Sequence, residues 1–257
     1  MSEIITSKSN TGAKRLKHLG ESSSFRREAG EFLCEGENLL REALYERAEI
    51  TCLFYTDTAP RELLREARDR AVPCYGATDA VIRHCSTVIT PQSVLFSARS
   101  PEFSPPPPGG KYLVLDAVRD PGNVGTILRS ADAFAIDAVI MTDDCADPLS
   151  PKTVRSTMGA VFRQRISVIR RENAGEFLSL LGVPVYGASA DEGARDIRKA
   201  DLSRCAVIIG NESNGLSREM RSLCTGMLKI PMKGRAESLN ASVAAGIAAF
   251  FMSSFLN

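Results

Sequence analysis

KYLVLDAVRDPGNVGTILRSADAFAIDAVIM, residues 111–141, holds a complete strand–turn–helix–strand pattern. YLVLDAV and DAVIM are short apolar runs of the kind expected for strands buried on both faces. Between them Val124, Ile127, Leu128, Ala131, Phe134 and Ala135 recur at helical spacing, which predicts an amphipathic helix over residues 124–135. Pro121 and Gly122 supply the turn, and Asn123 stands where an N-cap belongs. At about 100° per residue Arg129 falls on the face opposite the apolar stripe, toward solvent or a ligand. On spacing alone, a capped helix with one solvated arginine explains the same residues.

The alternation continues downstream through QRISVI, VPVYGAS, CAVIIGN and GMLKIPM, with helical stretches between most of these runs. That pattern predicts an α/β domain over residues 111–257, built on a parallel sheet flanked by helices. Upstream, SARSPEFSPPPPGG (residues 97–110) continues neither helix nor central strand and reads as an interdomain linker. Residues 1–96 form a smaller α/β unit: EFLCEGENLLREALYERA is amphipathic, ITCLFYT and VPCYGA are strand-like, and RELLREARDRA and ATDAVIRHCS are helical.

A chain of 257 residues with 44% apolar and 25% charged residues is a soluble globular protein, which excludes disordered, collagenous and disulfide-miniprotein classes. Its net charge of +1 means that a nucleic acid must be met by a local patch. Lys8, Lys14, Arg15, Lys17, Arg26 and Arg27, against Glu21, offer one suited to phosphate. The 7 cysteines contain no C-x-x-C and His18 and His84 are the only histidines, so a metal site is not expected. An odd set of thiols, and a start (MSEIITSKSN) without an apolar leader, indicate a cytoplasmic protein. The apolar segment 241–256 is shorter than the roughly 20 residues a bilayer requires, so it reads as buried core or a subunit interface, not a membrane span.

Two further segments carry candidate chemistry. In CAVIIGNESNGLSREM a buried strand runs into Gly210, Asn211, Glu212 and Gly215, at the carboxyl end where open α/β sheets bind ligands. Neither G-x-G-x-x-G nor a triphosphate loop is present there. In GMLKIPMKGRAESLNASVAAG a strand leads through Lys233, Gly234 and Arg235 to Ser238, which opens the final helix either as its N-cap or as an anion-binding group. Asn240, a polar amide entering an apolar helix, needs a partner.

Together these segments resemble the three motifs of the SpoU (TrmH-like) family of RNA ribose 2'-O-methyltransferases, in the SPOUT class. The resemblance rests on Asn123, Gly125 and Arg129; on Gly210, Asn211, Glu212 and Gly215; and on Ile230, Pro231, Met232, Gly234, Ser238, Leu239, Asn240 and Ser242. KTVRSTMGAVFRQRI, around Ser156, Gly159 and Ala160, resembles the family's segment between the first two motifs. ITSKSNTGAKRLKHL and FLCEGENLLREAL resemble the L30e-like RNA substrate-binding domain that many members carry.

The resemblance implies a C-terminal trefoil knot, a homodimer and S-adenosyl-L-methionine as methyl donor, held by backbone at Gly210, Ile230 and Leu239. It implies catalytic roles for Arg129, Asn123, Glu212, Ser238 and Asn240, with Arg129 clamping the target phosphate because a guanidinium stays protonated. The substrate implied is RNA, ribosomal in preference to transfer RNA. The rival readings are a noncatalytic RNA-binding protein that keeps the fold, against which the joint presence of these residues argues, and a nucleotide-dependent oxidoreductase, disfavoured by the missing phosphate-loop fingerprint.

Overall fold

A computed structural model describes residues 4–211 and 214–253 of the chain. In chain order the elements are α1 (Thr11–Glu21), α2 (Ser23–Ala29), β1 (Glu31–Glu35), α3 (Glu37–Tyr45), β2 (Ile50–Tyr55), α4 (Arg61–Asp69), β3 (Cys74–Gly76), α5 (Asp79–Cys85) and β4 (Val94–Arg99). They continue with β5 (Tyr112–Leu115), α6 (Pro121–Ala133), β6 (Ala138–Thr142), α7 (Pro151–Thr157), β7 (Ile166–Ile169), α8 (Ala174–Leu180) and β8 (Val185–Ala188). The last are β9 (Arg195–Asp196), β10 (Ala206–Ile209), α9 (Arg218–Ser222), β11 (Gly226–Lys229) and α10 (Ala241–Met252). Among the described residues, no helix is long and apolar enough to cross a membrane.

The larger sheet has the strand order β7-β6-β5-β10-β8-β11-β9 and every pairing in it is parallel. Period-two alternation divides its side chains between two cores. Leu113, Leu115, Val139, Met141, Val207 and Ile209 pack with Val124, Ile127 and Leu128 of α6 and with Ala245 and Ala249 of α10. Tyr112, Val114, Ala138, Ile140, Ala206 and Ile208 pack with Leu178 of α8 and Met220 of α9. Hence β5, β6 and β10 carry apolar residues at successive positions, because no face of these strands meets water.

The chain divides into two compact units. One runs to Pro101 and also takes in Asp147–Arg163, which the sequence places with the C-terminal domain; the other holds Glu102–Ala146 and the chain from Gln164 onward. Inside the first unit, Arg26 pairs with Asp147 at 2.6 Å, Arg155 with the buried Glu35 at 3.0 Å, and Arg163 with Glu42 at 2.6 Å. Leu149, Val154 and Val161 enter the same apolar cluster as Phe32, Leu40 and Phe96. Such long-range capture leaves no mark in local periodicity.

Three local expectations are corrected. EFLCE is a strand (β1), and helix α3 starts only after Gly36, whose φ of 109° breaks the chain there. Residues 97–99 belong to β4, paired with β1 and β2 in a sheet of order β1-β4-β2-β3, so the linker does not begin at residue 97. From Glu102 onward the Pro/Gly-rich stretch is fastened to the second unit. Tyr112 Oη donates to the Pro107 carbonyl and accepts from Gly110 N at 2.7 Å, Ser167 Oγ donates to Ser104 O at 2.8 Å, and Arg204 Nε donates to Gly109 O at 2.7 Å.

All seven cysteines are free thiols. Burial pushes Cys52 and Cys205 up to about 12 and Cys85 and Cys224 up to about 11, and raises Cys34, Cys74 and Cys145 as well. Since the thiolate is the nucleophile, the folded protein at pH 8 should resist iodoacetamide at every cysteine, whereas the denatured chain reacts at all seven. Peptide mass mapping checks this; rapid native labelling at Cys52 or Cys205 would refute the burial account.

Candidate functional site

At the carboxyl ends of β8, β10 and β11 lies a cavity of about 340 Å³. Its walls include Ile209 and Gly210 from the end of β10, Asn211, Asn214, Gly215 and Leu216 from the loop that follows, and Ile230, Met232, Ser238 and Leu239 from the segment leading to α10. The expected backbone positions Gly210, Ile230 and Leu239 thus come together on one cavity. Ala188 at the end of β8, with Ser189 and Asp191 after it, adds a further wall. Sequence reasoning did not single these out, although VPVYGAS ends a strand in the same sheet and the rule for open α/β sheets points to its carboxyl end.

Gly210 is required by close backbone packing in the protein itself. A Cβ there would lie 2.3 Å from Gly215 C and 2.5 Å from Leu216 N, both backbone atoms that cannot swing aside. Asn211 and Gly215 exchange backbone hydrogen bonds of 3.0 and 2.9 Å, with Gly215 at φ 66°. Gly210 therefore packs directly against the backbone of Gly215 and Leu216, with no room for a Cβ. Glu212 lies outside the described residues.

Helix α6 begins earlier than periodicity predicted. Asp120 is its N-cap, accepting from Asn123 N at 2.9 Å, and Pro121 occupies the first turn. Asn123 therefore sits inside the first turn, where its Oδ1 accepts from Asn240 Nδ2 at 3.0 Å. Asn240 is in turn the N-cap of α10: its Oδ1 accepts from Ser242 N at 2.9 Å, Val243 N at 3.3 Å and Ser242 Oγ at 2.6 Å. Its partner is thus found, and Ser238 is not the cap but an exposed residue on the cavity wall. Arg129 is exposed on α6, as the stripe predicted, and does not line the cavity.

Beneath the loop lies a charged cluster. Asp116, at the end of β5 and 1% exposed, accepts from Ser217 N at 2.6 Å through Oδ2. Arg171 Nη1 lies 2.6 Å from Asp116 Oδ1, an ion pair by distance whose geometry is not that of an aligned hydrogen bond. Arg171 Nη2 forks onto Asp144 at 2.9 and 2.8 Å. Burial works against charge on Asp144, but hydrogen bonds from Thr142 and Arg171 outweigh it and hold its carboxyl below the usual range.

The model of the family described as SpoU rRNA Methylase matches residues 110–250, and that of the MRM3-like substrate binding domain matches residues 10–95. The chain belongs to the SpoU rRNA methylase family. Within it, the chain is 33% identical over 253 residues to the 23S rRNA (guanosine(2553)-2'-O)-methyltransferase RlmP of Bacillus subtilis, covering 96% of this chain and 98% of that one. The AdoMet-bound rRNA methyltransferase structure from Sinorhizobium meliloti superposes with a TM-score of 0.85 at 32% identity, over 97% of each chain. The SpoU methyltransferase AviRb of Streptomyces viridochromogenes, in complex with AdoMet, does so at 0.84 and 26% identity, over 95% and 97% of the two chains.

Because Asn240 both caps α10 and holds Asn123, Asn240→Ala should cost about 1–2 kcal/mol, a fall in Tm of about 2–8 °C for a protein of this size. Asn240→Asp, which keeps the cap acceptors and loses the donor, should recover most of that stability. Differential scanning calorimetry of the two variants separates the roles; equal losses would show that the cap contributes little.

Proposed function

We propose that the protein is an S-adenosyl-L-methionine-dependent RNA ribose 2'-O-methyltransferase acting on ribosomal RNA. The observation that carries this reading is the convergence of Gly210, Ile230 and Leu239, from the loop after β10 and the segment between β11 and α10, on one cavity beside the Asn123–Asn240 contact. A volume of about 340 Å³ falls within the range of small-molecule sites. Apolar walls (Ile209, Leu228, Leu239) suit an adenine and a thioether chain, while Ser189, Asn211 and Asn214 supply polar contacts. The activities named for the B. subtilis and S. meliloti relatives support ribosomal RNA.

When bound, the donor supplies a methyl group already activated on a sulfonium. The protein's task is then alignment, which converts a two-body encounter into an effectively unimolecular step. Backbone at Gly210, Ile230 and Leu239 holds the donor. Arg129, exposed on α6, clamps the target phosphate with its planar fork and stabilises charge developing on the ribose oxygen. The Asn123–Asn240 contact fixes the start of α6 against the start of α10, and Ser238 on the cavity wall contacts the ribose. Glu212, placed by sequence between Asn211 and Asn214, shapes the loop or orients the arginine.

The N-terminal unit supplies RNA contacts, with fewer free cations than the sequence suggests. Arg15 is paired with Glu31 at 2.9 Å, Lys17 with Glu21 at 3.8 Å, and Arg26 is buried on Asp147. Lys8, Lys14 and Arg27 are exposed and carry the proposed phosphate contacts. Free thiols suit a reducing cytoplasm. The insertion of β10 between β5 and β8, with α10 returning onto α6 and β10, supports a knotted C-terminal half.

Mass spectrometric mapping of ribose methylation, with and without the protein, tests the activity. A ribosomal RNA methyl mark dependent on the wild-type protein is expected. Arg129→Ala should reduce transfer by about a hundredfold or more, while stability stays within about 0.5 kcal/mol because the residue is exposed. A mark in transfer RNA alone would move the substrate, no dependent mark would refute the activity, and wild-type turnover by Arg129→Ala would remove the clamp.

We also propose a homodimer through α6 and α10. Val243 (48% exposed) and Phe250 (42%) leave apolar surface on α10, beside Phe134 and Ile247. Sedimentation equilibrium should give a dimer for the wild type and a monomer for Phe250→Asp; a wild-type monomer at micromolar concentration would refute it.

A further inference from the structure

We propose that Arg171 is a positioning residue that sets the shape of the donor cavity from behind, by anchoring Ser217, which follows the cavity-lining Leu216, to the end of β5. The inference rests on the reading of that cavity as the methyl-donor site.

Arg171 stands just beyond β7 and contacts three other elements. Its Nη1 lies 2.6 Å from Asp116 Oδ1 and donates to Ser217 Oγ at 2.9 Å. Nη2 forks onto Asp144, beyond the end of β6, and its backbone N donates to Asp143 Oδ1 at 3.2 Å. Ser217 is where these contacts reach the cavity. Its N–H donates to Asp116 Oδ2, and its Oγ accepts from Met220 N at 3.2 Å, so one residue ends the cavity loop and caps α9. Leu216 before it and Arg221 on α9 both line the cavity.

Asp116 makes the arrangement depend on charge. A carboxylate that is 1% exposed requires a compensating cation, and removing that cation leaves a buried charge unpaired. Asp116 must then turn away toward water, and that movement releases Ser217 N. Burial disfavours the charged guanidinium, yet the hydrogen bonds it donates to Asp144 and its ion pair with Asp116 raise its pKa, so the cation persists at every physiological pH. The backbone beside the cluster is strained as well: Ala117 adopts φ 54°, and its carbonyl accepts from Asn211 Nδ2 at 2.8 Å at the other end of the loop. Both ends of the loop are thereby tied to two consecutive residues of β5's exit, with Arg171 securing one of them.

The test uses the full-length protein. Arg171→Ala should raise the donor's Kd by calorimetry, and its KM, by about tenfold to a hundredfold, with kcat at saturating donor within a few-fold of wild type. Arg171→Lys, which keeps the charge but not the fork, should recover part of the affinity. Amide exchange should accelerate at Leu216 and Ser217 and remain unchanged in β5, β6 and β10. Should Arg171→Ala fail to fold, the Asp116→Ala/Arg171→Gln double variant, which removes both charges together with the acceptor for Ser217 N, is read in the same way. Unchanged donor affinity, or a fall in kcat at constant KM, overturns the inference. If the wild type itself binds no S-adenosyl-L-methionine, the proposed activity fails, and exchange alone decides: faster exchange confined to Leu216 and Ser217 retains the positioning role, and unchanged exchange removes it.

Discussion

Where β5 and β10 cease to pair, at the hydrogen bond from Asp116 N to Ile209 O (2.9 Å), the two strands part into the loops that form the site. Up to that bond their residues are held in register from Ala206–Tyr112 to Ile209–Leu115 and buried on both faces. Beyond it one chain turns through Ala117 toward α6, and the other closes between Gly210 and Gly215. The cavity's floor is therefore as rigid as the centre of the sheet, while its walls are loops that need their own fastenings. The Asn123–Asn240 contact and the bonds to Asp116 and Ala117 supply them.

These fastenings are polar because of where they stand. A strand end in an open sheet exposes carbonyls and amides that no further rung can satisfy. Asp116 and Asn211 satisfy backbone groups in the loops beyond β5 and β10 with short side chains, and Asn240 does the same for the first amides of α10. Those groups hold the backbone in place around the cavity without filling it.

Much of the larger sheet was legible in the sequence because strands buried on both faces have a distinctive composition. Six of its strands appear as apolar runs; β9, two residues long, had too little pattern to show. The three cofactor positions were recognisable as motifs and do share a cavity. Caps were less legible, since Asp120 and Asn123 are both competent N-caps and only the position of Pro121 in the first turn favours the former. Arg171 and Asp116 were illegible: their partners are 27 to 101 residues away, and neither belongs to a periodic pattern. The basic N-terminal run misled for the same reason, because Glu31 and Asp147 neutralise parts of it from a distance.

The capture of Asp147–Arg163 by the N-terminal unit bears on how the protein is made. When Pro101 leaves the ribosome, the cluster around Phe32, Leu40 and Phe96 still lacks Leu149, Val154 and Val161, and Glu35 lacks Arg155. The missing piece is synthesised roughly 60 residues later, a delay of about 3–12 s at about 5–20 residues per second. Through that interval the nascent domain presents apolar surface and an uncompensated carboxylate. The order of translation thus makes completion of the first unit wait on about a third of the second, and a chain terminated at the apparent domain boundary would present the same unfinished surface to chaperones and proteases.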